Sequence, residues 1–132
     1  MRYAVAVLVL IAMAGSDAQA AGWTSKVKRV AVVASQVALA GASAADLASS
    51  WGGQEANPLL RGTDGRFGTR GAAVKFGIVG GIIALERLWL RDERYAAVVT
   101  GANAAVSVMY VRAAQHNLRV RESWKKSLLE GN

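Results

Sequence analysis

The chain has 132 residues, of which 53% are hydrophobic, with no cysteine, one histidine and a formal net charge of +7. This length allows one domain. The lack of cysteine excludes disulfides, thiolate metal sites and a cysteine nucleophile, and a single histidine argues against His-based metal clusters and catalytic pairs. The high apolar fraction argues against intrinsic disorder and also against an ordinary small soluble enzyme.

Residues 1–20 have the three parts of a secretory signal peptide. Arg2 lies beside the terminal amine, residues 4–14 form an uninterrupted apolar run, and the small residues of an A-x-A site end at Ala20. The apolar run is too short to span a bilayer as a helix. We therefore expect a signal peptide over residues 1–20; the alternative is an uncleaved N-terminal anchor or a buried helix.

Three apolar stretches follow, over residues 30–51, 71–90 and 95–112. As α-helices they would be about 33, 30 and 27 Å long, close to the roughly 30 Å hydrocarbon core of a bilayer. Trp51 and Trp89 fall at the ends of stretches, where membrane proteins concentrate aromatic side chains. These features predict an all-α protein, with a signal peptide followed by a three-helix transmembrane bundle. The alternative is a soluble secreted bundle, because Ala, Ser and Gly contribute little to membrane insertion.

The topology follows from the export signal. If the mature N-terminus is outside the cytoplasm, the 52–70 loop and the tail from Ala113 lie on the cytoplasmic side, which carries more Lys and Arg than the other side. We therefore expect residues 21–132 to form a three-helix domain in the bacterial inner (cytoplasmic) membrane, with a basic cytoplasmic C-terminal tail. The tail over residues 115–132 is either a short amphipathic helix on anionic lipid or a frayed, solvated segment.

Small residues recur at four-residue spacing, which lets helices pack closely in lipid. Gly77 and Gly81 form a G-x-x-x-G pair. Ala40, Ala44 and Ala48 repeat in the same way, and so do Gly101 and Ala105. The pattern serves either packing within the chain or a face for self-association. The expected partners are membrane lipid and either a second copy of the chain or another membrane protein. Nucleic acid is not expected, because the positive charge is spread over several segments without a recognition motif.

Polar residues follow one helical face in each apolar stretch. The stripes are Gln36, Ser43, Asp46 and Ser50 in the first stretch and Thr100, Asn103, Ser107 and Tyr110 in the third. An unpaired polar group in hydrocarbon costs several kcal/mol. The stripes should therefore face one another and form a polar seam inside a compact bundle.

Ionisable residues within the stretches are candidates for this seam. Asp46 and Lys75 lie at the same depth from one interface, which predicts an ion pair between them. Glu86 lies near the opposite interface, at the depth of Thr100 and Arg29. The Asp46–Lys75 pair acts either as a structural clamp or as part of a proton or ion relay.

The loop between the first two stretches contains the run Glu55-Ala56-Asn57-Pro58. Pro58 keeps Asn57 out of helical geometry, and Asn followed by Pro is typical of a helix start. We expect Asn57 to cap a single helical turn. Glu55 either binds backbone N–H groups at this turn or pairs with Arg61 or Arg66.

The loop and the end of the helix before it together carry a motif that resembles one in known sequences. The run Asp46-x8-Glu55-x-Asn57-Pro58-Leu59, set between two Ala/Gly-rich apolar helices, resembles a motif of a group of small uncharacterised bacterial multi-pass membrane proteins. The likeness covers roughly residues 30–112. It implies a multi-pass membrane protein and brings no known activity, and it carries over Asp46, Glu55, Asn57 and Pro58.

The sequence shows no nucleophile–base pair, no cofactor loop and no metal cluster. We therefore expect neither an enzyme nor a bound cofactor or metal. The leading hypothesis is a small integral membrane protein that acts as a structural or accessory subunit. One alternative is an oligomeric transport or proton-relay element lined by Asp46, Lys75, Glu86 and Asn103. The other is the soluble secreted helical bundle.

Overall fold

The structure is a computed structural model that describes Gly22 and residues 24–130. In this part of the chain α1 spans Ser25–Ser50, α2 spans Thr69–Trp89 and α3 spans Ala96–Leu129. A short 3-10 turn, Glu93–Tyr95, joins α2 to α3. The described residues form three helices and no strand, which confirms the all-α prediction. The expected signal peptide over residues 1–20 lies outside the described residues.

α1 begins at Ser25 rather than at residue 30, because Thr24 caps it. The Thr24 Oγ1 accepts a hydrogen bond from the Val27 N–H at 3.4 Å. The lysines and the arginine that precede the apolar stretch are good helix formers, so they extend the helix instead of preceding it. α1 ends at Ser50. Gly52 follows with a φ of 73°, which glycine adopts without strain.

α3 is the largest departure from the predicted boundaries. The helix expected over residues 95–112 continues to Leu129 without a break. The prediction ended the helix where the apolar run ended, but a helix needs only residues of good propensity to continue. The stretch from residue 113 to 129 contains no Gly or Pro and is rich in Leu, Arg, Lys and Ala. The basic tail is therefore the second half of α3, not a separate amphipathic helix or a frayed segment.

α1 and α3 lie side by side and run parallel, and the residues that pair between them are a constant number of positions apart. Three side-chain hydrogen bonds join residues 68 positions apart, namely Ser25 with Glu93, Ser35 with Asn103, and Ser49 with Asn117. Along α1, alternating steps of three and four residues separate six buried positions, Val32, Ser35, Leu39, Ala42, Asp46 and Ser49. This spacing is typical of knobs-into-holes packing. From residue 118 onward α3 has passed the end of α1, and its residues are exposed.

α2 runs antiparallel to both helices and is held by few residues. It buries Gly71, Val79 and Glu86 and lies mainly against α1. Its large apolar side chains point outward, including Phe76 and Leu85, which are 57% and 61% exposed. Most of the apolar surface of α2 therefore has no partner within the described chain.

Most of the small residues of the sequence pattern lie on outer surfaces. No atom lies within 4 Å of the position that a Cβ would take at Gly77 or Gly81. Ala40, Ala44 and Ala48 are also exposed. These five residues therefore do not pack within the described chain, whereas Gly101 and Ala105 on α3 are half-buried.

The loop between α1 and α2 folds against the end of the bundle around Phe67, which is 2% exposed. The Phe67 N–H donates to the Gly53 carbonyl and the Phe67 carbonyl accepts from the Gly52 N–H, both at 2.9 Å. The Trp51 ring packs edge-on against Phe67, with centroids 6.4 Å apart. A Cβ at Gly71 would lie 2.5 Å from the Phe67 ring, so glycine permits this close approach of α2.

Candidate functional site

The polar stripes of α1 and α3 meet in the interior, as the sequence predicts. Among the described residues, the buried polar side chains are Ser35, Gln36, Ser43, Asp46, Ser49, Glu86, Asn103 and Ser107. We call these residues, with the half-buried Lys75 and Asn117, the polar seam. Its ionisable members form two clusters, one near each end of α2.

The Asp46 cluster lies beside the loop. Lys75 Nζ is 2.6 Å from Asp46 Oδ2, so the predicted ion pair is present. The other carboxylate oxygen, Oδ1, accepts a hydrogen bond from Asn117 Nδ2 at 3.3 Å. The same amide nitrogen lies 2.9 Å from Ser50 Oγ and 3.2 Å from Ser49 Oγ. Each of the three helices therefore contributes a side chain to this cluster.

The Asp46–Lys75 ion pair is buried rather than exposed at the surface. The two side chains are 4% and 14% exposed. A buried charge is tolerated when it is both paired and hydrogen-bonded. The Lys75 ammonium gains a second favourable contact, because it lies 4.8 Å from the centroid of the Phe67 ring. The pair and its surroundings hold the start of α2 against α1.

The Glu86 cluster lies at the opposite end of α2. Glu86 Oε2 accepts hydrogen bonds from Gln36 Nε2 at 2.9 Å and from Asn103 Nδ2 at 3.2 Å. Asn103 Nδ2 is also 3.1 Å from Ser35 Oγ. One carboxyl group from α2 is thus held by an amide from each neighbouring helix. Glu86 is 8% exposed, so these amides replace its hydration.

Glu86 lies toward the opposite end of α2 from Lys75, but its hydrogen-bond partners are Gln36 and Asn103 rather than the residues expected at its depth, Thr100 and Arg29. Thr100 Oγ1 donates to the Ala96 carbonyl, and Arg29 pairs with Glu93 at 3.6 Å. Side chains on a helix lean toward its N-terminus. Because α2 is antiparallel to the other helices, Glu86 leans into the bundle and meets the side chains of Gln36 and Asn103.

The loop residues act locally. Asn57 Oδ1 accepts from the Leu59 N–H at 3.0 Å, so Asn57 caps the turn that follows Pro58. Glu55 Oε1 accepts from the Asn57 N–H at 2.8 Å, which selects backbone binding over pairing with an arginine. The motif Asp46-x8-Glu55-x-Asn57-Pro58 therefore has two parts. Asp46 anchors α2, and the other three residues shape the loop.

Two residues of the Asp46 cluster and its surroundings were missed from the sequence. Asn117 lies beyond the predicted end of the third helix, and Phe67 lies in a loop without periodic pattern. A signal for Asn117 was present, because it follows Asn103 by two heptads and so continues the same helical face. No local pattern marks Phe67 as the residue that the loop buries.

The chemistry of the seam is that of pairing and hydrogen bonding. Within residues 24–130, no group of three or more His, Cys, Asp or Glu side chains converges to hold a metal ion. Asp46 is occupied by Lys75 and Asn117. The seam joins helices by complementary polar contacts. The Ser49 and Ser50 hydroxyls, which lie beside Asp46, donate to its backbone carbonyl rather than to its carboxylate.

Comparisons with protein-family models, with curated proteins and with solved structures find no match. The resemblance drawn through Asp46, Glu55, Asn57 and Pro58 stays a prediction. The functional argument therefore depends on the seam and on the outer surface of the bundle.

Glu86 provides a test of how the seam works. Replacing Glu86 with glutamine keeps an acceptor oxygen for Gln36 and Asn103, so we expect the free energy of unfolding to change by less than about 1 kcal/mol. Replacing it with alanine leaves the buried Gln36 amide without its acceptor and removes one of the two partners of Asn103 Nδ2, which should cost about 2 kcal/mol or more. Both values are measured by denaturant titration of the purified chain, followed by far-UV circular dichroism.

The matched control is Glu122→Ala, because Glu122 lies on the exposed half of α3. This change should stay within about 0.5 kcal/mol of the unmodified chain. If the glutamine and alanine variants of Glu86 lose the same stability, hydrogen bonding to the amides is not what the carboxyl group contributes.

Proposed function

We propose that this chain is a small integral membrane protein of three helices, which acts as a structural or accessory subunit without catalysis of its own. The observation that supports this most is the placement of polarity. Among the described residues, eight polar side chains are buried beside ten apolar residues, while many large apolar side chains are exposed on the outside of the helices. Water favours the opposite arrangement. Lipid favours this one, because polar groups in hydrocarbon must find partners between helices.

The exposed apolar side chains are distributed over all three helices. They include Val33 and Val37 on α1, Ile78, Leu85 and Leu88 on α2, and Val108, Met109 and Val111 on α3. Soluble monomers rarely expose a continuous apolar surface of this kind. The distribution supports contact with lipid around most of the bundle.

Two helices, Ser25–Ser50 and Glu93–Leu129, are long and apolar enough to cross a membrane by length and composition. The core helix of a soluble protein passes the same test, but such a helix is mostly buried. Here the apolar windows of the two helices are 44% and 28% buried. The exposure of these two windows supports the proposal that the outer surfaces of the helices contact lipid.

We propose α2 as the third span. Its 21 residues give a helix of about 31 Å, which matches the hydrocarbon core of a bilayer. Two of its charged side chains, Lys75 and Glu86, turn inward and are paired or hydrogen-bonded in the seam. The helix therefore presents an apolar surface to its surroundings despite the charges in its sequence.

We propose an orientation in the bacterial inner membrane with the loop and the end of α3 in the cytoplasm. α1 and α3 are parallel, so the loop over residues 51–68 and the C-terminal half of α3 lie at the same end of the bundle. A hydrogen bond from the Arg121 guanidinium to the Trp51 carbonyl joins them. This end carries more Lys and Arg than the other, in agreement with the positive-inside rule.

The test is fractionation of the expressed, C-terminally tagged chain with an alkaline carbonate wash, with its mass measured alongside. We expect retention in the membrane pellet at a mass that lacks residues 1–20. Release into the soluble fraction would overturn the membrane assignment and select the soluble secreted bundle.

The orientation is tested in the same membranes with a membrane-impermeant maleimide. The natural chain has no cysteine, so each variant carries a single thiol. Thr63→Cys in the loop and Glu130→Cys after α3 should react from the same side, and Lys26→Cys at the start of α1 from the other. Reaction of all three from one side would contradict a bundle of three spans.

The outer face of α2 is the proposed contact with another membrane protein or a second copy. Gly77 and Gly81 leave space there for the close approach of a helix. This is the surface through which an accessory subunit would meet its partner.

The second candidate is an oligomeric transport or proton-relay element. The observation that favours it is Ser43 Oγ, which is buried and has no hydrogen-bond partner among the described residues. Lys75 and Glu86 are about 16 Å apart along the α2 axis, so a relay needs groups between them. Cross-linking in membranes that yields only monomers would overturn this candidate, because three helices are too few to enclose a pore.

A further inference from the structure

A groove of about 390 Å³ opens at the end of the bundle where α1 begins and α2 ends. Its basic lining consists of Lys28 and Arg29 from α1 and of Arg87 and Arg91 from the end of α2 and the turn after it. The groove touches the polar seam at one residue, Gln36, and lies at the opposite end of the bundle from the Asp46 cluster.

The charges in this groove are not balanced. Glu93 is the one acidic side chain in the lining, and it is engaged by Ser25 Oγ at 2.6 Å and by Arg29 at 3.6 Å. Within residues 24–130, no carboxylate lies within ion-pair distance of Lys28, Arg87 or Arg91. Three cations around one concave surface attract an anion more strongly than the same charges spread over a flat surface.

Apart from Gln36, which Glu86 holds from the seam side, the rest of the lining is apolar. Val32 and Leu90 belong to a buried cluster beneath the groove, and Val33 is 57% exposed at its edge. Val37, one turn further along α1, is 67% exposed on the same face. The basic groove therefore continues into an apolar strip that runs along α1 toward the middle of the bundle.

Aromatic side chains mark the level of the groove. Trp89 and Tyr95 lie at this end of the bundle and are 61% and 38% exposed. Exposed Trp and Tyr are typical of the interface between headgroups and acyl chains. In a bilayer placed as proposed above, the cations of the groove would lie at the depth of lipid phosphate groups, and the strip would lie at the depth of acyl chains.

We propose that the groove binds the phosphate group of one anionic phospholipid, whose acyl chain lies against Val33 and Val37. The guanidinium groups of Arg87 and Arg91 suit a phosphate because they donate in pairs, and Lys28 adds a point charge. The proposal depends on the proposed function, because it needs the bundle to lie in a membrane. It goes further by naming a lipid class and the residues that select it.

The test uses the purified full-length chain in detergent. Native mass spectrometry measures the binding of dihexanoylphosphatidylglycerol and of dihexanoylphosphatidylcholine, whose short chains keep both lipids soluble. We expect the phosphatidylglycerol to bind at least tenfold more tightly. The variant K28Q/R87Q/R91Q should lose at least tenfold in this binding, since each basic residue near a lipid phosphate contributes about fivefold. Arg91→Gln alone should lose about fivefold.

The matched control is R119Q/K125Q/K126Q, which removes the same charge from the exposed half of α3. We expect it to change the binding less than twofold, with the helical circular dichroism signal unchanged in both triple variants. Equal losses in the two triple variants would overturn the groove as a site. Displacement of the lipid by inorganic phosphate of equal affinity would also overturn it, because the apolar strip would then contribute nothing.

The carbonate wash on the same variants measures membrane insertion separately. Release of the unmodified chain from the pellet overturns the proposed membrane function. Loss of the lipid preference with retention in the pellet overturns the groove alone.

Discussion

Replacing Asp46 with asparagine should lower the free energy of unfolding by about 3–5 kcal/mol, the usual effect of removing one partner from a buried ion pair. The change leaves Lys75, whose side chain is 14% exposed, without a carboxylate at 2.6 Å. It also weakens the acceptor that Asn117 uses. The free energy is measured by titrating the micellar protein with sodium dodecyl sulfate and recording the loss of helix. Reduced abundance in membranes should accompany it.

The double variant D46N/K75M distinguishes the loss of the ion pair from the effect of changing the side chain at position 46. Removing both charges should restore most of the lost stability, because an apolar side chain of similar volume replaces a buried charge at little net cost. Glu122→Gln, which also removes one carboxylate but from an exposed site, should stay within about 0.5 kcal/mol. Equal losses in D46N and in the double variant would show that the ion pair is not what holds the two helices.

The same pair shows what depth arithmetic on a sequence can predict. Asp46 and Lys75 flank one loop on antiparallel helices, so counting residues inward from each helix end brings them to the same level. Depth alone did not predict the partners of Glu86, because its side chain leans toward Gln36 and Asn103. Spacing along a helix thus predicted which face is polar. Which residue each polar side chain contacts depended also on the direction in which that side chain leans.

The helix boundaries were predicted less well, for a physical reason. Matching apolar runs to the thickness of a bilayer finds where a helix is apolar, not where it ends. α1 starts at the Thr24 cap, and α3 continues to Leu129 through residues that favour a helix in any solvent. The prediction missed Asn117 because it ended the third helix at residue 112, although the heptad spacing of Asn117 from Asn103 was visible in the sequence.

The attachment of α2 explains why the polar residues matter so much. Its buried residues are Gly71, Val79 and Glu86, so valine is its one large apolar side chain in the core. Its other anchors are the ion pair of Lys75 with Asp46 and the amide contacts of Glu86. In lipid, apolar contact between helices gives little net energy. Polar contacts at the two ends of α2 therefore fix its position against α1 and α3.

Replacing Phe67 with alanine should have a comparable effect, with a loss of about 3–5 kcal/mol, because a buried aromatic side chain leaves a large cavity. Phe67 is 2% exposed, and it contacts Trp51 and the Lys75 ammonium. Denaturant titration measures the loss. Trypsin cleavage after Arg61 and Arg66 measures opening of the loop, which should become faster.

Leu59→Ala is the matched control, because it removes a large apolar side chain from the same loop at a position that is 67% exposed. It should change the stability by about 0.5 kcal/mol or less. Since the Phe67 ring lies under the Lys75 ammonium, the Phe67→Ala and Asp46→Asn changes should not be additive. A double-mutant cycle should give a coupling of about 0.5–3 kcal/mol, the range for residues in one contact network. Strict additivity would mean that the loop and the seam fold independently, and that Phe67 does not help to place Lys75.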